Sequence, residues 1–184
     1  MRLFIATTFP DAVTTELNRR VEPLKPKLPP ASWVRPETQH LTLAFLGDHD
    51  PSIVDRLAAI VDERLRAIKQ FEAKLRGCGF FPNRRHARVG WVGLEPETPF
   101  INVAAAVRDA VKSSGIELDR ADFKPHLTIM RIRDPWPPAS ADTFQKGLAG
   151  YESTPFTVDR VTLFSSQLNP KGAIHTALRE FALA

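Results

Sequence analysis

A single cysteine, Cys78, stands in the 184 residues, so no internal disulfide can form and nothing in the chain asks for an oxidising compartment. No stretch approaches the roughly 18 apolar residues that a membrane-spanning helix needs. The longest near the start, Leu3 to Phe9, is broken by Thr7 and Thr8 and stopped by Pro10. It also lacks the small-residue cleavage site of a secretory leader. Low-complexity tracts are missing, no Gly-rich phosphate loop follows a strand, and no HExxH, cysteine pair or carboxylate triplet accompanies a histidine. These absences argue against a disulfide scaffold, a membrane span, a zinc peptidase and a P-loop enzyme. The simplest expectation is a cytoplasmic protein.

What is present fits a soluble globular chain: 43% of residues are hydrophobic and 25% charged. The length suits one ordinary domain or two small lobes sharing a cleft. The net charge is +4, and of the 25 basic residues 17 are arginine. The planar fork of arginine matches phosphate oxygens two at a time, so the balance is compatible with a phosphate-bearing partner. A compositional bias of the genome gives the same excess, and charge alone decides nothing.

Pro and Gly clusters cut the chain into short pieces. Arg2 to Phe9 reads as a strand, followed by a helix with Asp11 as N-cap and Val13, Leu17 and Val21 at helical spacing. Leu24 to Pro30 reads as an extended loop, and Ser32–Arg35 and Gln39–Leu46 as strands, the second ended by Gly47. Asp50-Pro51 opens a helix striped by Ile53, Leu57, Ile60, Val61, Leu65 and Ile68. Strands are expected over Phe71–Arg76 and Ala87–Leu94, then a helix from Thr98-Pro99 stopped at Gly115. The remainder predicts a strand over His126–Ile132, a short helix within Ala141–Leu148, and two strands, Phe156–Leu168 and Ala173–Ala182, around Asn169-Pro170-Lys171-Gly172. Strands joined by short turns and outnumbering helices make an α+β pattern with antiparallel pairing.

One repeat stands out. Gln39-His40-Leu41-Thr42-Leu43 recurs 86 residues later as Pro125-His126-Leu127-Thr128-Ile129. From composition alone about 0.35 occurrences of His-x-Thr are expected, and requiring the same aliphatic neighbours makes coincidence rarer still. In a strand, positions i and i+2 share a face, so His40 and Thr42 project together, as do His126 and Thr128, with aliphatic anchors behind them. A lone His-x-Thr is ordinarily a hydrogen-bonded structural pair; two copies facing one cleft offer an acid, a base and two hydroxyl donors. That set suits in-line displacement at phosphorus. One imidazole takes a proton from the attacking oxygen, one imidazolium protonates the leaving oxygen, and hydroxyls hold the non-bridging oxygens. The scheme requires no metal. Of the other histidines, His49 reads as solvated in a turn, His86 as part of a basic loop, and His175 as a packing residue in the last strand.

At these motifs the sequence resembles the 2H phosphoesterases, and among them the RNA 2′,3′-cyclic phosphodiesterases once called 2′-5′ RNA ligases (LigT-like). The likeness runs from Arg2-Leu3-Phe4-Ile5-Ala6 through Trp33-Val34-Arg35-Pro36, both motifs, Phe81-Pro82 and Trp91-Val92-Gly93 to Leu163-Phe164-Ser165-Ser166. It implies a single α+β domain over residues 1–184. Two pseudo-symmetric lobes, each an antiparallel sheet with helices, would flank a central cleft. It implies hydrolysis of terminal 2′,3′-cyclic phosphates on RNA to 2′-phosphates, with reversible 2′-5′ ligation in some relatives. His40 then matches the proton donor, His126 the proton acceptor, and Thr42 and Thr128 the phosphate-holding hydroxyls. The expected partners are RNA ends or small cyclic nucleotides, with no cofactor, no metal and no membrane, and the expected state is a monomer.

The resemblance also implies substrate-binding roles for Phe45 and Arg131. Strict alternation sends both to the face opposite His40 and His126. They reach the cleft only if each strand bends or carries a bulge; otherwise they are structural. Arg84, Arg85 and Arg88, beside Phe80 and Phe81, form a run that either guides an RNA backbone or is a solvated loop with a buried anchor. Trp33 and Arg35 approach the first motif in sequence and are candidates to line the cleft, with core packing the default for Trp33.

Overall fold

The structure, a computed structural model, describes residues 1–118, 122–169 and 172–184. Within them, nine strands and four α-helices follow in the order β1 (Arg2–Thr8), α1 (Asp11–Val21), β2 (Ser32–Trp33), β3 (His40–Asp48), α2 (Ile53–Leu65), β4 (Phe71–Phe81), β5 (Val89–Glu95), α3 (Glu97–Ser113), β6 (His126–Arg131), α4 (Pro138–Gly147), β7 (Phe156–Val158), β8 (Arg160–Asn169) and β9 (Gly172–Ala182). They build two sheets, a four-stranded one ordered β3-β1-β8-β9 and a five-stranded one ordered β2-β6-β5-β4-β7, with antiparallel pairing throughout. The α+β class is the one read from the pattern, and the two similar sheets are those the resemblance implies. The run β1-α1-β3-α2 in one lobe is matched by β5-α3-β6-α4 in the other, and each motif strand pairs with the hub strand of its own sheet.

The apolar stripes do what their spacing requires. Val13, Leu17 and Val21 of α1, Leu57, Val61 and Leu65 of α2, and Phe100, Val103, Val107 and Val111 of α3 are all buried. α2 and α3 lie against each other, joining the helical layers of the two lobes. The opposite sheet faces are left to form the cleft.

Several boundaries differ from the sequence reading. Pro10, not Asp11, caps α1: Asp11 is already helical, and no side chain caps the first turn. Leu24–Pro30 is not wholly extended, because Glu22–Lys27 forms a short 3₁₀ helix with Pro23 at its start and Pro26 inside it. β3 runs through Gly47, whose φ of +84° only glycine adopts readily, to Asp48, while β2 is only two residues long. β4 continues past Arg76 to Phe81 by way of an irregular register between Leu75 and Cys78. Phe156–Leu168 is two strands, and they belong to different sheets. In the last turn, Pro170 and Lys171 lie outside the described residues.

The most consequential irregularity is shared by the two lobes. Along β1, Ala6 faces Thr42 and Ile5 faces Ala44, leaving Leu43 as an extra residue; along β5, Trp91 faces Thr128 and Gly90 faces Met130, leaving Ile129 extra. Each is a β-bulge at the same place after its motif. Burial confirms the consequence: Leu43 and Ala44 are both buried, as are Ile129 and Met130, and alternation then resumes with opposite parity.

Candidate active site

His40 and His126 are the first residues of β3 and β6, and one cleft of about 650 Å³ between the lobes is lined by His40, Thr42, Phe45, His126, Thr128 and Arg131 together. The bulges bring Phe45 and Arg131 onto the cleft face, so the strict alternation that sends them away fails in both strands at the equivalent residue. Phe45 is left 61% exposed, which a core role does not explain.

The two imidazoles are held alike. Nδ1 of His40 lies 2.8 Å from the Thr38 carbonyl oxygen, and Nδ1 of His126 lies 2.7 Å from that of Lys124. A carbonyl only accepts, so Nδ1 donates in each ring, and Nε2 carries the lone pair when the ring is neutral. One aromatic ring braces each: Phe4 at 4.9 Å from His40 and Phe81, edge-on, at 4.8 Å from His126. The site therefore contains two equivalent bases whose orientation and tautomer are fixed by their own strands.

Burial pulls the His40 imidazole down to about 4 from 6.5; the Thr38 carbonyl opposes this, and the charges of His175 and Arg131 add to it. Burial likewise lowers His126, helped by the charges of Lys124 and Arg131 against the pull of the Lys124 carbonyl. Arg131 thus acts on both rings, and no ion pair neutralises it among the described residues. Near neutrality both histidines are uncharged in the free protein, and an anionic phosphate entering the cleft favours protonation of either.

Folding is linked to the same shift. Above pH 6.5 the stability is complete. Between about 6.5 and 4 the unfolded chain takes up a proton that folded His40 refuses, so stability falls with pH. Allowing for solvent in the open cleft, the expected loss is about 2 kcal/mol. Denaturant unfolding at pH 7 and pH 4.5 should show it, and His40→Gln should shrink the difference by about that amount, the remainder coming from His126 and other groups whose protonation burial or pairing opposes.

The cleft walls also contain residues outside the two motifs. Phe4 stacks on Phe164 at 5.2 Å and touches His40, and His175 meets both Phe4 and His40 edge-on, at 4.9 and 5.3 Å between ring centroids. His175 therefore lines the cleft while its ring packs against Phe4 and His40. A single histidine in a strand carries no signal of this, because the β8–β9 hairpin reaches the cleft only through the long-range pairing of β8 with β1. Lys124 lies 4.8 Å above the Trp91 ring and 6.0 Å from that of Phe81. Trp33 and Arg35 line the cleft, so Trp33 is not confined to the core; Lys25 sits 5.5 Å from its ring.

The basic run separates. Phe80 is buried against Phe144, Phe81 faces His126, Arg84 pairs with Asp142 at 2.8 Å, and Arg88 donates to the Arg133 carbonyl. His86 is exposed. His49 is not simply solvated: its Nε2 lies 2.9 Å from the Leu46 carbonyl. Cys78 is half-buried, and burial pushes its thiol up to about 11, too high for a nucleophile. Among the described residues no group of three His, Cys, Asp or Glu side chains is placed to hold a metal ion, and no helix is long and apolar enough to cross a membrane.

Comparison with known proteins fits this geometry. The sequence pattern of the 2′-5′ RNA ligase superfamily matches residues 9–170, a span that contains both motif strands. The chain belongs to the 2′-5′ RNA ligase superfamily. An RNA 2′,3′-cyclic phosphodiesterase of Methanothermobacter thermautotrophicus is 31% identical over 183 residues, covering 100% of this chain and 99% of the relative. Among solved members of similar fold, a Thermus thermophilus protein superposes with a TM-score of 0.77 at 30% identity, over 100% of this chain and 98% of the other. Escherichia coli LigT, solved with 3′-AMP, gives 0.74 at 26% identity, over 99% and 97%. The superfamily match takes in both motif strands, and these relatives align over the full length of the chain, so both lobes are part of the shared fold.

Proposed function

We propose that this chain is an RNA 2′,3′-cyclic phosphodiesterase, hydrolysing a terminal 2′,3′-cyclic phosphate to a 2′-phosphate and acting as a cytoplasmic monomer. The observation that carries the reading is the pair of histidines presented to one cleft with the same Nδ1-to-carbonyl anchor. The names of the curated relatives point the same way.

In this reaction Nε2 of His126 takes a proton from water as its oxygen attacks phosphorus. His40, protonated in the substrate complex, gives its proton to the departing 3′ oxygen as the P–O3′ bond breaks. One proton is taken and one given, so the pair resets by a net transfer through solvent. Thr42 and Thr128 donate to the non-bridging oxygens, and Arg131 offsets the charge that gathers on them. A 5′-hydroxyl attacking phosphorus in place of water, with the same P–O3′ bond breaking, gives a 2′-5′ linkage in place of the 2′-phosphate.

The test is hydrolysis of a short RNA ending in a 2′,3′-cyclic phosphate, with EDTA present and the product phosphate located by mass spectrometry after selective digestion. A 2′-phosphate is expected. A 3′-phosphate reverses the leaving group and so the donor and acceptor roles; no turnover on RNA or on cyclic mononucleotides, with or without EDTA, overturns the enzyme reading.

A further inference from the structure

A third histidine opens onto the same cleft and plays no part in the two-histidine scheme. His175 comes from β9, the strand of its sheet farthest from β3, yet its ring centroid lies 5.3 Å from that of His40. Ser166 and Leu168 of β8 and Ala173 of β9 line the cleft beside it. The end of this hairpin forms one wall of the cleft, close to where a phosphate held by His40 must sit.

The two ring nitrogens of His175 differ. Nδ1 is buried and has no hydrogen-bond partner, whereas Nε2 is not sealed off and has no partner among the described residues. Burial lowers the affinity of the ring for a second proton, so it is neutral near pH 7. A neutral ring has one N–H. Placed on Nδ1, that hydrogen is a buried orphan donor, the rarer and costlier kind of unpaired group. Placed on Nε2, it faces the cleft. The environment therefore selects the Nε2–H tautomer, the reverse of His40 and His126, whose carbonyl anchors fix hydrogen on Nδ1. Two rings offer the cleft a lone pair, and the third offers a donor.

We propose that His175 is a substrate-binding residue, donating Nε2–H to a non-bridging oxygen of the phosphate held against His40. The assignment rests on the proposed reaction for its substrate, though the contact itself requires only a phosphate. It uses a polar hydrogen that the cleft wall supplies beside Phe4 and His40, where the His175 ring packs edge-on against both.

Two variants separate a donor from a packing residue. His175→Phe keeps a ring against Phe4 and His40 and removes the N–H. His175→Gln removes the ring and places an amide N–H close to the Nε2 position. The donor role predicts about a tenfold rise in KM and in the Kd for inorganic phosphate in the phenylalanine variant, with kcat little changed, and recovery to within about threefold in the glutamine variant. The opposite order, phenylalanine intact and glutamine impaired, overturns it, as does unchanged phosphate affinity in both. Nitrogen-15 spectra of the free protein should show the His175 hydrogen on Nε2; hydrogen on Nδ1 overturns the tautomer on which the contact depends. If the wild-type protein hydrolyses no cyclic phosphate yet binds inorganic phosphate through His175, the reaction fails and the contact stands.

Discussion

His40→Ala and His126→Ala should each lower kcat/KM on a 2′,3′-cyclic phosphate by about 10²–10⁴-fold, the usual contribution of a positioned acid or base. Both rings are half-buried on the cleft face, and Leu41, Leu43, Leu127 and Ile129 carry the core contacts of their strands, so the variants should fold. The double variant should be little worse than either single one, because each proton transfer depends on the other. The pH profile adds a second readout. The wild-type profile should be a bell, falling at low pH as the base becomes protonated and at high pH as the acid loses its proton. Without His40 the alkaline limb should vanish, and without His126 the acid limb. Retention of near-wild-type turnover by either variant would falsify the pairing. Loss of the wrong limb would exchange the two roles while leaving the chemistry in place.

The wild-type profile also carries the burial of these rings. His40 at about 4 and a lowered His126 put the bell of kcat/KM, which reports the free protein, on the acid side of 6.5. The substrate's negative charge raises both groups in the complex, so the kcat profile should lie at higher pH than that of kcat/KM.

Much of this was legible because strand alternation is local. His40 with Thr42, and His126 with Thr128, share a face for a reason that any five-residue strand supplies, and the repeat joins them to one cleft. The helical stripes were legible for the same reason, since Val103, Val107 and Val111 follow a period that burial then requires. What escaped depends on partners remote in sequence. A bulge is a mismatch between two strands, so Leu43 is an extra residue only against β1, and Ile129 only against β5. His175 reads as a packing residue of the last strand because nothing nearby in sequence says that β9 closes the cleft beside Phe4. The 3₁₀ turn at Glu22–Lys27 was hidden by its prolines, which forbid a regular helix interior but not a tight turn at the end of α1.

The bulges make the second large effect predictable. They place Phe45 and Arg131 at equivalent positions, opposite Phe4 on β1 and Val89 on β5, so similar frames present an aromatic ring in one lobe and a cation in the other. The asymmetry suits a substrate with one charged centre and one flat base. Arg131 reaches the electrostatic neighbourhood of both histidines and has no carboxylate partner among the described residues. Its charge is therefore available to a phosphate whose negative charge grows in the transition state. Arg131→Ala should lower kcat/KM about 10²–10³-fold, the scale on which loss of one transition-state donor is felt, and Arg131→Lys should restore only part, since an ammonium lacks the guanidinium fork. Phe45→Ala should act differently. It should raise KM by up to about tenfold for RNA ends, as expected for one lost stacking surface, and leave kcat near wild type. Without Arg131 both histidines should titrate at higher pH, because a positive charge that opposed their protonation is gone. An Arg131→Ala variant with normal turnover and unshifted histidines would mean that the bulge in β6 turns this side chain past the phosphate and not toward it.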